Sequence, residues 1–223
     1  MAGTLTGAPV GRPGDRLIRV GLIDDHPVVG AGTAAILRTQ PGFDVVGVAV
    51  SLDAARDAGL TDAATVDILL LDIRLGTDSG LRLLSDAAAQ GGAPLPAVIV
   101  LTAYDYPQYA EAALSLGAAG FVLKTAPLAE LVDAIRRVAA GGLAFAVRPR
   151  RTGRAHLTAR EHDVVRLVAD GRSNDEIGST LGIGSKTVET HLSRVFERFG
   201  VSSRAELAAR AVREGWLDVP PGG

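Results

Sequence analysis

The sequence predicts an α/β domain built on a doubly wound parallel sheet, followed by a small all-α domain. In the first 140 residues, short apolar runs rich in Val, Ile and Leu alternate with segments of helical period, as in parallel sheets that are buried on both faces. After residue 156 the pattern changes to short amphipathic helices with clear N-terminal caps. A chain of 223 residues is long enough for two such domains.

Five apolar runs are predicted as the strands of one sheet, each followed by a helix, which gives a (βα)5 pattern. The predicted strands are 18–23, 43–49, 66–71, 97–101 and 119–123. The predicted helices are about 28–39, 52–58, 81–89, 107–116 and 127–140.

Composition excludes several classes of protein. Hydrophobic residues make up 47% of the chain and charged residues 22%, which is typical of a globular protein and not of a disordered one. There is no cysteine, so disulfides, thiolate metal sites and cysteine nucleophiles are excluded. No apolar run approaches the roughly 18 residues of a membrane span, and the N-terminus lacks the apolar region of a secretory signal. We expect a cytoplasmic protein without a membrane partner.

Charge divides the chain in two. Residues 1–140 carry 15 acidic and 10 basic side chains, whereas residues 141–223 carry 10 acidic and 13 basic ones. A segment rich in Gly, Pro and Arg separates the halves and is predicted to be a linker. The predicted organisation is an N-terminal extension (1–16), the α/β domain (17–140), the linker (141–155), the helical domain (156–218) and a short tail (219–223).

Polar side chains follow the predicted strands at their carboxyl ends. Asp24 and Asp25 follow the first strand, Asp72 the third, Thr102 the fourth and Lys124 the fifth. In doubly wound sheets, ligands bind outside the carboxyl ends of the strands. We therefore expect these five side chains to meet at one edge of the sheet.

Clustered carboxylates require a cation, and an all-oxygen ligand set favours a hard ion such as Mg²⁺. Asp25 and Asp72 are the expected direct ligands. A central carboxylate such as Asp72 can also accept a phosphoryl group as an acyl phosphate, if cations neutralise the transferred oxygens. Lys124 and Thr102 are placed to contact those oxygens through an ammonium and a hydroxyl.

Residues 17–140 resemble the receiver domain of two-component response regulators. The segments that carry the resemblance are LIDDHP (22–27), LDIR (71–74), LTA (101–103) and GFVLK (120–124). The resemblance implies that Asp72 is the phosphoacceptor, that Asp24 and Asp25 join it in binding the metal, and that Thr102 and Lys124 contact the phosphoryl group. It also implies that Phe121 is the aromatic residue that rotates on activation. A core position on the last strand is compatible with that role, and without the resemblance the core role is the favoured one.

The second half contains a helix-turn-helix pattern. Capping boxes are predicted at Thr158 with Glu161, at Ser173 with Glu176 and at Ser203 with Glu206. The helix predicted over 174–181 ends at a three-residue turn, and a further helix runs from Ser185 to Phe199, where Gly200 stops it.

Residues 155–217 are similar to the LuxR-type four-helix DNA-binding domain. The matching segments are LTARE (157–161), SNDEI (173–177), KTVETHL (186–192) and FGVSSR (199–204). The resemblance implies that residues 186–198 of this helix are the recognition helix, which enters the major groove of double-stranded DNA. The polar side chains of that helix are the predicted DNA contacts: Lys186, Thr187, Glu189, Thr190, Ser193 and Arg194.

Together the two halves resemble a NarL/FixJ-class response regulator. This resemblance implies a phosphorylation-dependent transcription factor that accepts phosphoryl from a sensor histidine kinase, dimerises on activation and is not a turning-over enzyme. Two alternatives stay open. A magnesium-dependent phosphohydrolase would share the acidic edge, but it commonly needs an acid two residues after the nucleophile, where this chain has Arg74. The other alternative is a DNA-binding regulator with the same helix-turn-helix domain, whose receiver acts through protein contacts or a ligand and not through phosphorylation.

Overall fold

A parallel sheet with helices on both faces forms the first part of the chain. The structure is a computed structural model that describes residues 16–76, 78–90, 94–145 and 157–220. The strands within these residues are β1 (Ile18–Ile23), β2 (Phe43–Ala49), β3 (Ile68–Leu71), β4 (Arg74–Leu75), β5 (Asp78–Ser79), β6 (Ala97–Thr102), β7 (Gly120–Leu123) and β8 (Ala144–Phe145). The helices of this part are α1 (Pro27–Arg38), α2 (Leu52–Asp57), α3 (Leu81–Gln90), α4 (Pro107–Ser115) and α5 (Leu128–Ala139).

The main sheet has the order β2-β1-β3-β6-β7-β8, and its pairs are parallel. β1 lies between β2 and β3, so the winding of the chain reverses there. The carboxyl ends of β1 and β3 therefore flank the crevice in which such sheets bind ligands. The predicted doubly wound fold is confirmed.

The side chains of β3 explain how one sheet supports two hydrophobic layers. Leu69 and Leu71 pack with apolar residues of α2, α3 and α4, whereas Ile68 and Leu70 pack with those of α1 and α5. This alternation follows from the two-residue period of a strand. Because both faces are covered, β3 is apolar throughout and fully buried.

Two pairings in this part differ from the prediction. Residues 144–145, which the sequence assigns to the linker, form β8 and extend the sheet beside β7, because Gly120 and Phe121 offer an open strand edge. Directly after Asp72, β4 and β5 form a small antiparallel hairpin in which Arg74 pairs with Ser79. Within the predicted termini and linker, residues 1–15, 146–155 and 221–223 lie outside the described residues.

Four helices form the second part of the described chain: α6 (Ala159–Ala169), α7 (Asn174–Leu181), α8 (Ser185–Phe199) and α9 (Arg204–Arg213). Their buried side chains form a hydrophobic core of their own. The turn between α7 and α8 begins at Gly182, whose φ of 65° is left-handed and suits glycine. The predicted helix-turn-helix is confirmed.

Two of the three predicted capping boxes form. Thr158 with Glu161 and Ser173 with Glu176 exchange both hydrogen bonds of the motif. The box predicted at Ser203 is incomplete: Ser203 caps α9 by accepting from the N–H of Glu206, but the carboxylate of Glu206 accepts from the backbone and hydroxyl of Ser202 instead. Among the described residues, the structure has no helix that is both long and apolar enough to cross a membrane.

Candidate functional site

Three carboxylates meet where β1 and β3 end. Asp24 and Asp25 directly follow β1, and Asp72 directly follows β3. The backbone N–H of Asp72 donates to the carbonyl of Ile23 at 2.9 Å, which keeps the two strand ends level. Asp24 and Asp72 are buried, at 4% and 5% exposure, while Asp25 is partly exposed. The predicted acidic edge therefore forms around a central Asp72.

Lys124 lies between two of these carboxylates. Its ammonium nitrogen is 2.7 Å from Oδ2 of Asp24 and 2.6 Å from Oδ2 of Asp72. The backbone N–H of Lys124 donates to the carbonyl of Thr102 at 2.7 Å, which places the lysine at the carboxyl end of β7. One ammonium against three carboxylates leaves the cluster with an excess of negative charge.

Burial and pairing shift the pKa values in this cluster. Burial raises the pKa of Asp72 above its ordinary value, and the ammonium of Lys124 opposes that shift. Burial acts to lower the pKa of Lys124, but the hydrogen bonds that its ammonium donates to Asp24 and Asp72 outweigh burial and raise that pKa. The ammonium is therefore charged at neutral pH and can hold an anion at Asp72.

The remaining negative charge is suited to a cation. Oxygen or nitrogen ligand atoms of Asp24, Asp25, His26 and Asp72 lie within 4.8 Å of one another. Oδ1 of Asp25 is buried and accepts no hydrogen bond from the described residues; Nδ1 of His26 lies 2.7 Å away, at ion-pair distance but without hydrogen-bond geometry. A buried carboxylate oxygen without a donor fits a hard cation. Oδ1 of Asp25 can therefore serve as the metal ligand expected of this residue.

Thr102 and Phe121 stand on the two neighbouring strands. Thr102 ends β6 and is fully buried, and its hydroxyl oxygen accepts a hydrogen bond from the N–H of Tyr104 at 3.3 Å. Phe121 lies in β7 and is buried in the same hydrophobic cluster as Tyr109. Both residues lie on strands that end at the acidic edge: the carbonyl of Thr102 accepts from the N–H of Lys124, and Phe121 lies three residues before Lys124.

The hairpin after β3 contacts the acidic edge through its backbone. The N–H of Gly76 donates to Oδ2 of Asp25 at 2.8 Å. The backbone of Arg74 forms a hydrogen bond with the carboxylate of Asp72, which acts to lower the pKa of that group. The backbone of this short hairpin therefore forms hydrogen bonds with two of the three carboxylates, those of Asp25 and Asp72.

The second candidate site is the polar face of α8. Val188, Leu192 and Val195 bury the opposite face of this helix in the core of the second domain. The six predicted DNA contacts are all exposed: Lys186, Thr187, Glu189, Thr190, Ser193 and Arg194. Their spacing places them on one continuous polar face of α8, opposite the buried side chains.

Hydrogen bonds within α8 order part of this face. Nζ of Lys186 lies 2.6 Å from Oε2 of Glu189, so the lysine is paired with an acid one turn away. The hydroxyls of Thr190 and Ser193 donate to the carbonyls of Lys186 and Glu189, at 3.0 and 2.9 Å. The carboxylate of Glu189 therefore offsets the positive charge that Lys186 presents on this face.

Two features of the sites were not predicted from the sequence. His26 joins the acidic cluster, and its position directly after Asp25 is the signal that could have indicated it. Asp218 contacts Arg74 through an ion pair of 3.0 Å between Oδ2 and Nε. No sequence signal indicates that pair, because 144 positions separate its members.

Comparisons with known proteins agree with this arrangement. The response regulator receiver domain matches residues 20–136, and the luxR family of bacterial regulatory proteins matches residues 155–211. The probable transcriptional regulatory protein NarL of Mycobacterium tuberculosis is 37% identical over 218 residues, covering 92% of this chain and 99% of the relative. The transcriptional regulatory protein UhpA of Salmonella typhimurium is 37% identical over 209 residues, covering 90% of this chain and 100% of the relative.

Among solved structures, the RcsB response regulator of Salmonella typhimurium has the same fold. It superposes with a TM-score of 0.61 at 24% identity, over 89% of this chain and 98% of that one. The fold, the two matched domains and the full-length relatives lead to the same assignment. The chain belongs to the NarL/FixJ-class response regulators, in which a receiver domain precedes a LuxR-family DNA-binding domain.

Proposed function

We propose that this chain is a transcriptional regulator whose DNA binding depends on phosphorylation of Asp72. The observation that carries the proposal is the Asp24, Asp25, Asp72 and Lys124 cluster on the same chain as the exposed polar face of α8. The phosphoryl donor would be a sensor histidine kinase, and the target would be double-stranded promoter DNA. We propose that the protein acts in the cytoplasm and dimerises when activated.

The chemistry follows from the positions of the charges. A carboxylate oxygen of Asp72 attacks the phosphorus, the bond from phosphorus to the donor imidazole breaks, and the imidazole leaves with a proton from solvent. Lys124 lies against the Asp72 carboxylate and can pair with a transferred oxygen. Asp24, Asp25 and Asp72 would hold Mg²⁺, which would neutralise charge on the phosphoryl group.

We propose that the receiver is not a turning-over phosphatase. A phosphohydrolase with an aspartyl nucleophile needs a nearby acid to protonate the leaving group. Arg74, two residues after Asp72, does not lose its proton in proteins, and its pKa is raised further beside Asp218 although burial opposes this. An aryl phosphate offered with Mg²⁺ should therefore show no sustained turnover.

Promoter binding and sedimentation with and without a phosphoryl mimic test the proposed function. With beryllofluoride and Mg²⁺, we expect the full chain to sediment as a dimer and to bind promoter fragments more tightly. The Asp72→Asn variant is the control, because it should show neither change. Equal sedimentation and equal DNA affinity with and without the mimic would contradict the proposal.

The salt dependence of DNA binding should separate the charges on α8. We expect Arg194→Ala to weaken nonspecific binding and to reduce the slope of log affinity against log salt by about 0.9, the value for one neutralised phosphate. Glu189→Gln should strengthen nonspecific binding and steepen that slope, because it removes the 2.6 Å ion pair of Lys186.

Glu197→Gln is the control for that experiment, since it makes the same change of charge on α8 without touching Lys186. Nonspecific affinity should rise less in Glu197→Gln than in Glu189→Gln, and the slope should steepen only in Glu189→Gln. If the two variants behave alike, the ion pair does not limit the contact of Lys186 with phosphate.

A further inference from the structure

One acidic side chain lies among the predicted DNA contacts of α8. Glu189 is exposed and is the only carboxylate in that set, whose other members carry hydroxyl, ammonium or guanidinium groups. The phosphates on both sides of a DNA groove repel a carboxylate. Glu189 therefore weakens DNA binding unless a hydrogen-bond donor on the DNA meets its carboxylate.

Glu189 lies in the part of α8 from which bases can be reached. It is the fifth residue of a helix that begins at Ser185, whereas Glu197, the other exposed acid of α8, is the thirteenth. At the rise of an α-helix, about 12 Å separate the two along the axis. In helix-turn-helix domains, the N-terminal residues of the recognition helix contact base edges. Glu189 is therefore in position to contact a base, while Glu197 lies in the last turns of the helix.

Lys186 places a donor directly beside this carboxylate. Its Nζ lies 2.6 Å from Oε2 of Glu189, and 91% and 49% of the two side chains are exposed. The hydrogen bond to Glu189 raises the pKa of Lys186, so the ammonium stays charged at neutral pH. An ammonium has further protons and a carboxylate has further lone pairs. Each group can therefore contact DNA without breaking the ion pair.

The neighbouring hydroxyls are weaker candidates for such a contact. Thr190 and Ser193 donate to the carbonyls of Lys186 and Glu189, at 3.0 and 2.9 Å. Each hydroxyl thus uses its proton within the helix. Hydrogen bonds to charged groups are also stronger than those to neutral ones. Lys186 and Glu189 therefore supply the charged donor and the charged acceptor of this turn of α8.

Only some base pairs match this donor and acceptor in the major groove. Cytosine presents an amine donor at N4, and its partner guanine presents acceptors at O6 and N7. A C·G pair therefore complements Glu189 and Lys186 in charge. Adenine also has an amine, at N6, but its N7 is an acceptor and repels a carboxylate. A T·A pair presents the reverse pattern, with the O4 acceptor of thymine in place of the cytosine amine.

We propose that Glu189 and Lys186 together recognise one C·G base pair in each half-site of the promoter DNA. The Glu189 carboxylate accepts from N4 of cytosine, and the Lys186 ammonium donates to O6 of the paired guanine. This inference rests on the proposed function and specifies its DNA target. Glu189 then raises sequence specificity while it lowers affinity for DNA in general, because only a matching donor offsets its charge.

The test is the selection of binding sites from duplexes of random sequence by the full chain with beryllofluoride and Mg²⁺. The unchanged chain should enrich sites that have cytosine at one fixed position of each half-site. Exchange of that C·G pair for T·A should weaken binding about 10-fold, which is within the range for a good pair of base contacts. In Glu189→Ala the two duplexes should bind equally, while the preferences at other positions stay unchanged.

Glu197→Ala is the matched control, because it removes the same charge from α8 far from the predicted base contact. Both variants should bind nonspecific duplexes more tightly than the unchanged chain, but only Glu189→Ala should lose the preference for C·G. Lys186→Met should reduce the preference at the same base pair, because it removes the donor to guanine.

The outcomes are distinguishable. If Glu189→Ala keeps the preference for C·G, or loses preference at every position alike, base recognition by Glu189 is refuted and the proposed function stands. A base other than cytosine at the position that depends on Glu189 also refutes it. If the unchanged chain enriches no sequence with the mimic bound, the proposed function fails and this inference fails with it.

Discussion

Replacing Asp72 with Asn is expected to abolish phosphoryl uptake by this chain. The amide has nearly the shape of the carboxyl group but lacks the nucleophilic oxygen anion that attacks phosphorus. Incubation with a small phosphodonor or with a phosphorylated histidine kinase should label the unchanged chain and leave Asp72→Asn without label. Because phosphoryl transfer needs this one atom, we expect complete loss and not a fractional decrease.

Asp44→Asn is the matched control, since Asp44 is an exposed carboxylate on β2 and its loss makes the same change of charge. It should be labelled like the unchanged chain. The fold of Asp72→Asn should be intact, because the change removes one of three clustered carboxylates and so relieves repulsion. Label retained on Asp72→Asn would show that another residue accepts the phosphoryl group.

The second large effect is expected in the DNA-binding domain, where Glu161→Gln should lower the free energy of unfolding by about 2 kcal/mol. The Glu161 carboxylate is buried, at 6% exposure, and accepts from the N–H of Thr158 at 2.9 Å. It also pairs with the guanidinium of Arg198, which joins the start of α6 to the end of α8. The amide keeps the shape of the side chain but leaves Arg198 without a countercharge. Urea unfolding followed by the fluorescence of Trp216, the single tryptophan, measures the loss.

Glu176→Gln is the control, because Glu176 completes the same capping motif on α7 but is exposed. Its effect on unfolding should be clearly smaller. If both variants lose equal stability, the cap and not the buried charge pair determines the effect.

The pH dependence of this stability follows from the pKa of Glu161. Burial acts to raise that pKa, but the hydrogen bonds from Thr158 and Arg198 outweigh it and lower the pKa below its ordinary value of 4.5. A carboxyl group whose pKa is lower in the folded state stabilises the fold above its unfolded pKa, and this contribution is lost as pH falls through the folded pKa. The difference between the unchanged chain and Glu161→Gln should therefore be constant near neutral pH and should narrow below about pH 4.5.

The regular elements could be predicted because their signals are local. β1, β2 and α8 have the predicted bounds, since an apolar run or a helical period with caps at its ends specifies each one without reference to distant residues. Clustering of Asp24, Asp72 and Lys124 could also be predicted, because parallel strands place their carboxyl ends at one edge of the sheet. Polar residues that follow separate strands in the sequence therefore lie together in one site of the folded sheet.

Other features depend on pairings that no local pattern encodes. The strand β8 forms because β7 offers it an edge, and the incomplete box at Ser203 arises because Glu206 finds two donors on Ser202. After Asp72, β4 pairs with β5, and the N–H of Gly76 donates to Asp25, whereas the glycines of that segment indicate only a loop. In each case several groups of similar chemistry could serve as the pairing or hydrogen-bond partner. Which of them does so depends on their positions in the folded structure.

The sequence by itself determined the two domains, their secondary structure and the chemistry of the acidic edge, because hydrophobic period, helix caps and residue types at strand ends act over a few residues. Only the tertiary structure decided that Lys124 bridges Asp24 and Asp72, that Lys186 pairs with Glu189, and that Asp218 holds the hairpin beside the pocket. The physical reason is the range of the interactions. The contact between Arg74 and Asp218, which are 144 positions apart, depends on how whole elements pack. The sequence around either residue does not indicate it.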